Sequence, residues 1–424
     1  MSSIYKNSHT HIFTMNNAPD GFLKLYMPAP VASIVDKFTN TQVGASLIGW
    51  LAGFNKGLLK RYATFLQIGK SKNQTEVFED LMSRYGNESI DFVALTLNME
   101  NLGVGKSISG FEGQLEEVIE IKRKYPERIL PFFGLDPRWL NGNGIKDRIE
   151  SYFNTKINVG GSEVFPFQGL KIYPSTGFYV FDERLKETLE WAADNGVPIM
   201  AHTYYLGGIF NYDKNYITNN LNPFNPYTNS RYAVPKFIEE RGSLLGRWTG
   251  EQNKKNCKYS CSYFLDPTSY ISVLDYFKDR NLKICLAHFS GVAQIKASLK
   301  RNKDKEQTQP YGTTNKNWYD LIREMLLKYP NLYTDISYDV AEAVQSDNNF
   351  LYEEFYKELN KEYGDRILFG TDYFMTEKDN LEQDSVAKFR AFANTKILNN
   401  GNTMWDQMAK INPSNYLKSN FSNP

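Results

Sequence analysis

The feature that most limits the folds open to this chain is an alternation: eight short β-branched or apolar runs, with longer amphipathic segments of helical spacing falling between them. The runs are Ile4–Phe13, Ile90–Leu97, Ile129–Leu135, Phe167–Tyr173, Val197–Ala201, Leu282–Ala287, Asn331–Ile336 and Arg366–Gly370. Helical patterns cover Gly113–Lys124, Asp182–Asn195, Thr268–Arg280, Lys316–Lys328 and Phe350–Tyr363. In the second of these, Leu185, Leu189 and Ala192 recur on one face, with Asp182 placed to cap the start and Gly196 to end it. Apolar strands separated by helices predict parallel pairing under a helical cover, and eight of them predict a closed (β/α)8 TIM barrel with its site at the carboxyl ends of the strands. A bare barrel needs only about 250 residues. The 424 residues therefore predict one domain over 1–424 with insertions at about 15–89, after the first strand, and about 204–263, after the fifth. The first holds a helical stretch, Thr75–Tyr85; the second is rich in Asn, Tyr and Gly. Both leave from a strand's carboxyl end, so both are expected to roof the site.

Hydrophobic residues at 41% and aromatics at 15% are enough for a large core and exclude general disorder. Lys and Arg total 49 against 48 for Asp and Glu, so no global field steers a polyanion, and the expected partner is a small molecule, with nucleic acid excluded. Lys300–Gly312 is charged, but acidic residues interrupt it, and it reads as a solvated loop. Three cysteines cannot build a disulfide framework; they suit a reducing compartment, with the cytoplasm expected. Cys257 and Cys261 lack the two further ligands a structural zinc requires, and Cys285 reads as a small core residue. The first residues lack a secretory signal's basic flank and apolar stretch. Val43–Phe54 is too short and too interrupted by glycine to cross a bilayer; it reads as a buried or lid helix, and no membrane association is expected. The aromatic insertions leave a homodimer open.

The chain has four histidines, and each lies beside an apolar run: His9 and His11 in SHTHIF, His202 in VPIMAH, His288 in KICLAH. Asp372 follows another run in RILFGTD. Residues two apart on a strand share a face, so His9 and His11 can grip one ion together. His202 and Asp372 complete the mixed nitrogen and carboxylate set of a catalytic divalent ion that keeps a position open. One ion is expected, zinc first, with manganese or iron as alternatives.

In several motifs the chain resembles the amidohydrolase superfamily, in the amidohydrolase-related branch that also holds aminocarboxymuconate-semialdehyde decarboxylase. They are NSHTHIF, GLDPR, GLKIYPSTGFYVFDERLKETLEWAADNGVPIMAH, LKICLAHFSG, DRILFGTDYF and KINPSNYLK, in order along most of the chain. The resemblance implies a divalent metal held by His9, His11, His202 and Asp372, with His288 facing the reaction centre as acid or base. Asn7 stands where the family usually has an aspartate, and the insertion after Tyr204 remodels the substrate pocket. Asp372 is expected to take a proton from the attacking water. Substrate contacts are expected from Lys171, as a cation toward a carboxylate or a neighbouring acid; from Arg138, with a fold-holding ion pair as the alternative; and from Tyr204. Carboxylated Lys171 bridging two metals is the less favoured arrangement. The expected activity is metal-dependent hydrolysis of a lactone, cyclic amide or ester. The alternatives are non-oxidative decarboxylation of an unsaturated or aromatic acid, and an inactive barrel used for binding.

Overall fold

The computed structural model describes residues 5–22, 25, 71–86, 88–232, 236–248, 250–300, 316–345, 349–378 and 382–423. Val43–Phe54, much of the first insertion and most of Lys300–Gly312 lie outside the described residues.

The eight expected runs are the eight strands of one parallel sheet: β1 Tyr5–Thr10, β2 Ile90–Leu95, β3 Ile129–Leu135, β4 Gly169–Ile172, β5 Ile199–Ala201, β6 Ile284–Leu286, β7 Leu332–Asp335 and β8 Ile367–Leu368. They pair in sequence order, every pair parallel. The last strand returns to the first: Ser8 N–H donates to Phe369 O at 2.9 Å, Asp372 N–H donates to His9 O at 2.8 Å, and Thr10 bridges Tyr373 in parallel. This closes the TIM barrel and joins β1 to the turn that carries Asp372. The strands are buried on both faces, which explains why they read as continuous apolar runs.

Inside the barrel, Val93, Phe132, Met200, Cys285 and Leu368 pack together with Tyr416 and Leu417 of the C-terminal tail. Lys283 ties that tail down by donating to Tyr416 O at 2.7 Å. A larger apolar cluster lies between sheet and helices. The helices used below are α1 Gln74–Ser83, α2 Gly110–Lys124, α3 Ile145–Asn154, α4 Lys186–Asn195, α5 Glu251–Cys261, α6 Ile271–Tyr276, α7 Trp318–Lys328, α8 Asp339–Gln345, α9 Phe350–Leu359 and α10 Glu382–Thr395. In α7, Asn317 caps the start by accepting from Tyr319 N and Asp320 N, and Leu321, Ile322, Met325 and Leu326 form the buried stripe, each worth about 1.5–3 kcal/mol against exposure.

Several boundaries differ from expectation for local reasons. Asp182 caps a 3-10 turn over Glu183–Leu185 before α4 begins, and Gly196 ends α4 in the left-handed conformation (φ 63°). The expected helix Thr268–Arg280 is divided: Asp266 caps a 3-10 segment, Pro267–Tyr270, and α6 stops at Tyr276. A hairpin, Ile157–Val159 with Ser162–Val164, turns through Gly160 and Gly161 and was not foreseen. The described residues of the second insertion include a helix over Lys214–Asn220, a hairpin of Phe224–Asn225 with Ser230–Arg231, a helix over Leu244–Trp248, and α5. No helix among the described residues is long and apolar enough to cross a membrane.

Candidate metal centre

His9 lies within β1 and His11 just past its end, so both rings project from one face. Gly370 makes room for them, because a Cβ there would come within 2.7 Å of His9 Cβ. At the end of β8 the backbone turns through a left-handed Asp372 (φ 62°), which aims the carboxylate at the pair. Asp372 Oδ1 lies 3.4 Å from His9 Nε2 and 3.3 Å from His11 Nε2. These three ligand atoms converge tightly enough to hold one ion, and all three residues are buried.

Hydrogen bonds on the far side of the rings fix which nitrogens carry protons. His11 Nδ1 faces Leu95 O at 3.2 Å, and a carbonyl can only accept, so Nδ1 carries a proton and Nε2 is turned toward Asp372. His9 Nδ1 faces Asp335 Oδ2 at 2.9 Å, with the same consequence. Both Nε2 atoms therefore face one carboxylate oxygen, an arrangement that a cation between them would satisfy. Burial, reinforced by the Lys171 charge, pushes His9 well below the usual histidine range, so the charge is not a proton on His9. Burial alone would raise Asp372, but the His11 hydrogen bond and the His9 and His288 charges bring it down to about 2. The donor set fits a divalent cation.

His288, at the end of β6, donates from Nδ1 to Ser337 O at 3.1 Å and presents Nε2 to His202 Nδ1 at 3.0 Å. Burial lowers its pKa, and that of His202 further, with the neighbouring His288 charge adding to the fall. His202 stacks on Tyr173 with ring centroids 4.1 Å apart, and its Nε2 is buried without a hydrogen-bond partner. Gly208 (φ 80°) covers that nitrogen, and a Cβ there would approach it to 2.5 Å. The structure thus brings His9, His11 and Asp372 together, while His202 faces His288 and stands outside that trio.

Asp335 and Ser337 organise the site, and sequence reasoning missed both. Asp335 Oδ1 accepts from His288 N and Ser337 N, each at 2.9 Å, while Ser337 Oγ lies 3.0 Å from His9 Nδ1 and 2.9 Å from His288 Nδ1. This explains a second convergence of His9, His288 and Asp335 as hydrogen bonding around one carboxylate. Asp335 and Ser337 have the same two-residue spacing at the end of β7 that His9 and His11 have on β1, a signal available in LYTDIS. Left-handed backbone recurs around the site at His288, Phe289 and Ser290 (φ 69°, 43° and 71°) and at Tyr338 (φ 67°).

Above the histidines lies a cavity of about 310 Å³, with His11, His202, His288 and Asp372 among its lining residues. Tyr204 lines it too, its ring edge-on to His288 at 5.6 Å. Lys171 does not line it. Its ammonium is buried 3.5 Å from His9 Nε2, and burial lowers it to about 8 against the attraction of Asp372 and Asp335. Arg138 requires a correction. Its guanidinium is committed to Asp136, Asn101 O, Thr176 O and Thr176 Oγ1, away from the cavity over the histidines, so the fold-holding reading replaces substrate contact. Cys257 and Cys261 are buried free thiols donating to Tyr212 O and Asn211 O, each at 3.6 Å.

A family model described as amidohydrolase matches residues 100–399. No curated protein matches the sequence. Among solved structures, a zinc-bound amidohydrolase from Burkholderia multivorans is similar with a TM-score of 0.50 at 8% identity, covering 98% of this chain and 99% of its own. The 5-carboxyvanillate decarboxylase of Novosphingobium aromaticivorans, complexed with manganese, has a TM-score of 0.45 at 12% identity, covering 98% and 96%. An uncharacterised TIM-barrel protein from Bordetella bronchiseptica has a TM-score of 0.43 at 16% identity, covering 96% and 98%.

Proposed function

Because this chain belongs to the amidohydrolase family, whose members are metal-dependent enzymes, we propose that it is a hydrolase of a small polar lactone, cyclic amide or ester. The observation that carries this reading is the convergence of two imidazole nitrogens and one carboxylate oxygen beneath the cavity. His9, His11 and Asp372 would hold the ion, with His202 as the fourth donor through Nδ1, which would release His288 Nε2 toward the substrate. A bound divalent ion supplies Lewis acidity and brings the pKa of water toward neutrality.

The rest follows from the side chains. Asp372, anionic across the working pH range, keeps its second oxygen for the proton of the attacking water and hands that proton to the leaving group. His288, neutral because it is buried, offers the Nε2 lone pair as an acceptor and, once protonated, stabilises charge on the substrate oxygen. Tyr204 and Tyr173 flank the two histidines and restrict where a substrate can lie. The aromatic lining, with Phe13, Phe210 and Tyr338, favours one second reading, decarboxylation of an aromatic or unsaturated acid.

The test is elemental analysis of protein purified without chelator, beside a His9→Ala, His11→Ala double variant, followed by a product screen. One equivalent of zinc, manganese or iron, lost in the variant, with a ring-opened acid as product, supports the proposal. Carbon dioxide as product moves the assignment to decarboxylation. Two equivalents assign Lys171 a bridging role, and none after adding zinc or manganese leaves a binding module.

A further inference from the structure

Where β1 meets the turn after β8, one side chain holds both. Asn7, on β1, accepts at Oδ1 from the backbone N–H of His9 at 3.3 Å and from that of Thr371, the residue before Asp372, at 3.2 Å. Its Nδ2 donates to Thr371 Oγ1 at 2.8 Å and to Tyr85 OH at 3.2 Å. Asn7, Thr371 and Tyr85 are all buried, so solvent does not make good a lost partner.

Which end of the amide faces which neighbours is decided one step further out. Tyr85 and Thr371 have one hydroxyl proton each, and both send it to Glu382 Oε1, at 2.5 and 2.7 Å. The two hydroxyl oxygens are left with lone pairs for Asn7, and only its Nδ2 can meet them. Burial and the Glu382 charge push Tyr85 well above the usual phenol range, so that proton stays on its oxygen. Oδ1 is thereby turned to the two backbone N–H groups. Were the amide reversed, Nδ2 would meet them donor against donor. Tyr85 lies just past α1 and Glu382 opens α10, so elements outside the sheet set the state of a side chain within it.

We propose that Asn7 is a positioning residue for the metal centre: its amide, oriented by Glu382 through the Tyr85 and Thr371 hydroxyls, clamps the backbone of His9 to the turn that carries Asp372 and sets the separation of those two ligands. This deepens the metal-dependent reading above and rests on it. The same proton count predicts an outcome that packing alone does not. A carboxylate in place of the amide keeps one oxygen for the N–H pair, but its other oxygen meets two hydroxyl lone pairs, at the position where Nδ2 now stands 3.4 Å from Glu382 Oε1. With the Glu382 carboxylate also removed, both hydroxyl protons can turn to that oxygen, and every donor is matched again.

The experiment is a double-mutant cycle on the full chain, stripped with chelator and read by competition titration with zinc and with manganese, beside chemical denaturation. Asn7→Asp and Glu382→Met should each weaken metal binding about tenfold or more, the scale of lost outer partners of metal ligands. Asn7→Asp made in the Glu382→Met background should tighten binding again, so that one substitution changes sign with its background. Glu382→Gln replaces the methionine variant if that fails to fold; its amide can donate to the new carboxylate, and Asn7→Asp should then cost less than it does in the wild type. Metal affinity within about twofold of wild type in a folded Asn7→Asp protein, or losses that add in the double variant, overturns the proposal. A wild type that binds neither metal overturns the metal reading and the positioning role with it, and a sign reversal seen in denaturation alone would then make Asn7 a clamp of the fold.

Discussion

Replacing Asp335 by asparagine changes one atom and reverses one hydrogen bond. In the native site Oδ1 accepts from the backbone N–H groups of His288 and Ser337, each at 2.9 Å, so that end of the side chain has to remain an oxygen. The new amide nitrogen then stands where Oδ2 meets His9 Nδ1 at 2.9 Å, donor against donor. The relief open to the ring is to carry its proton on Nε2, the nitrogen aimed at Asp372. A metal would have to displace that proton and restore the clash. Loss of such an outer partner of a ligating histidine costs about 10–100-fold in metal affinity. At 1.36 kcal/mol per decade that is about 1.4–2.8 kcal/mol. The assay is competition titration of zinc or manganese into chelator-stripped wild type and Asp335→Asn, with thermal melts confirming that both are folded. Ser337→Ala, which keeps Oδ2 in place, should lose less. Metal affinity within about twofold of wild type in a folded Asp335→Asn protein would refute the tautomer assignment and the role of Asp335 with it.

Two further outcomes concern stability. Arg138→Met strands the buried carboxylate of Asp136 and should cost about 3–5 kcal/mol in chemical denaturation, with zinc or manganese affinity unchanged; a loss under about 1 kcal/mol, or lost metal affinity in a stable variant, contradicts its structural role. Asp91 on β2 is raised to about 6 from the usual 3.8 because burial outweighs Lys6, 3.7 Å away, and Arg128. The folded state therefore holds the proton more tightly, so the contribution is full below about 4 and is lost as pH rises through about 6, a change of about 3 kcal/mol. Asp91→Asn should raise the melting temperature relative to wild type more at pH 7 than at pH 4, and an equal shift at both would count against the burial argument.

The barrel is legible because its strands are buried on both faces, and burial of that kind writes itself as short apolar runs, told from helix by their length and by the longer amphipathic segments between them. The ends are less legible. Arg366–Gly370 narrows to Ile367–Leu368 because the chain turns early to bring Gly370 and Asp372 against His9, a long-range demand with no local mark. His9, His11 and Asp372 stand out because histidine is rare here and each ends a run. Asp335 and Ser337 leave only a two-residue spacing at a strand end, which is ordinary until their partners are known. Arg138 misled for a related reason: a guanidinium after a strand looks the same whether it faces a ligand or Asp136. The seating of the second insertion depends on contacts distant in sequence, such as Cys261 with Asn211, and periodicity carries no record of those.

His288, Phe289, Ser290, Tyr338 and Asp372 all hold left-handed backbone, although none is glycine. Such residues cost the fold on the order of 1 kcal/mol or more each. Glycine would release that strain at Ser290, whereas at Phe289, fully buried against Tyr319, the lost burial of about 3–5 kcal/mol would outweigh it. A selection for heat resistance alone should therefore enrich glycine at Ser290 and, in doing so, loosen the turn that points His288 at the cavity. The position easiest to improve for durability is one the chemistry can least afford to soften.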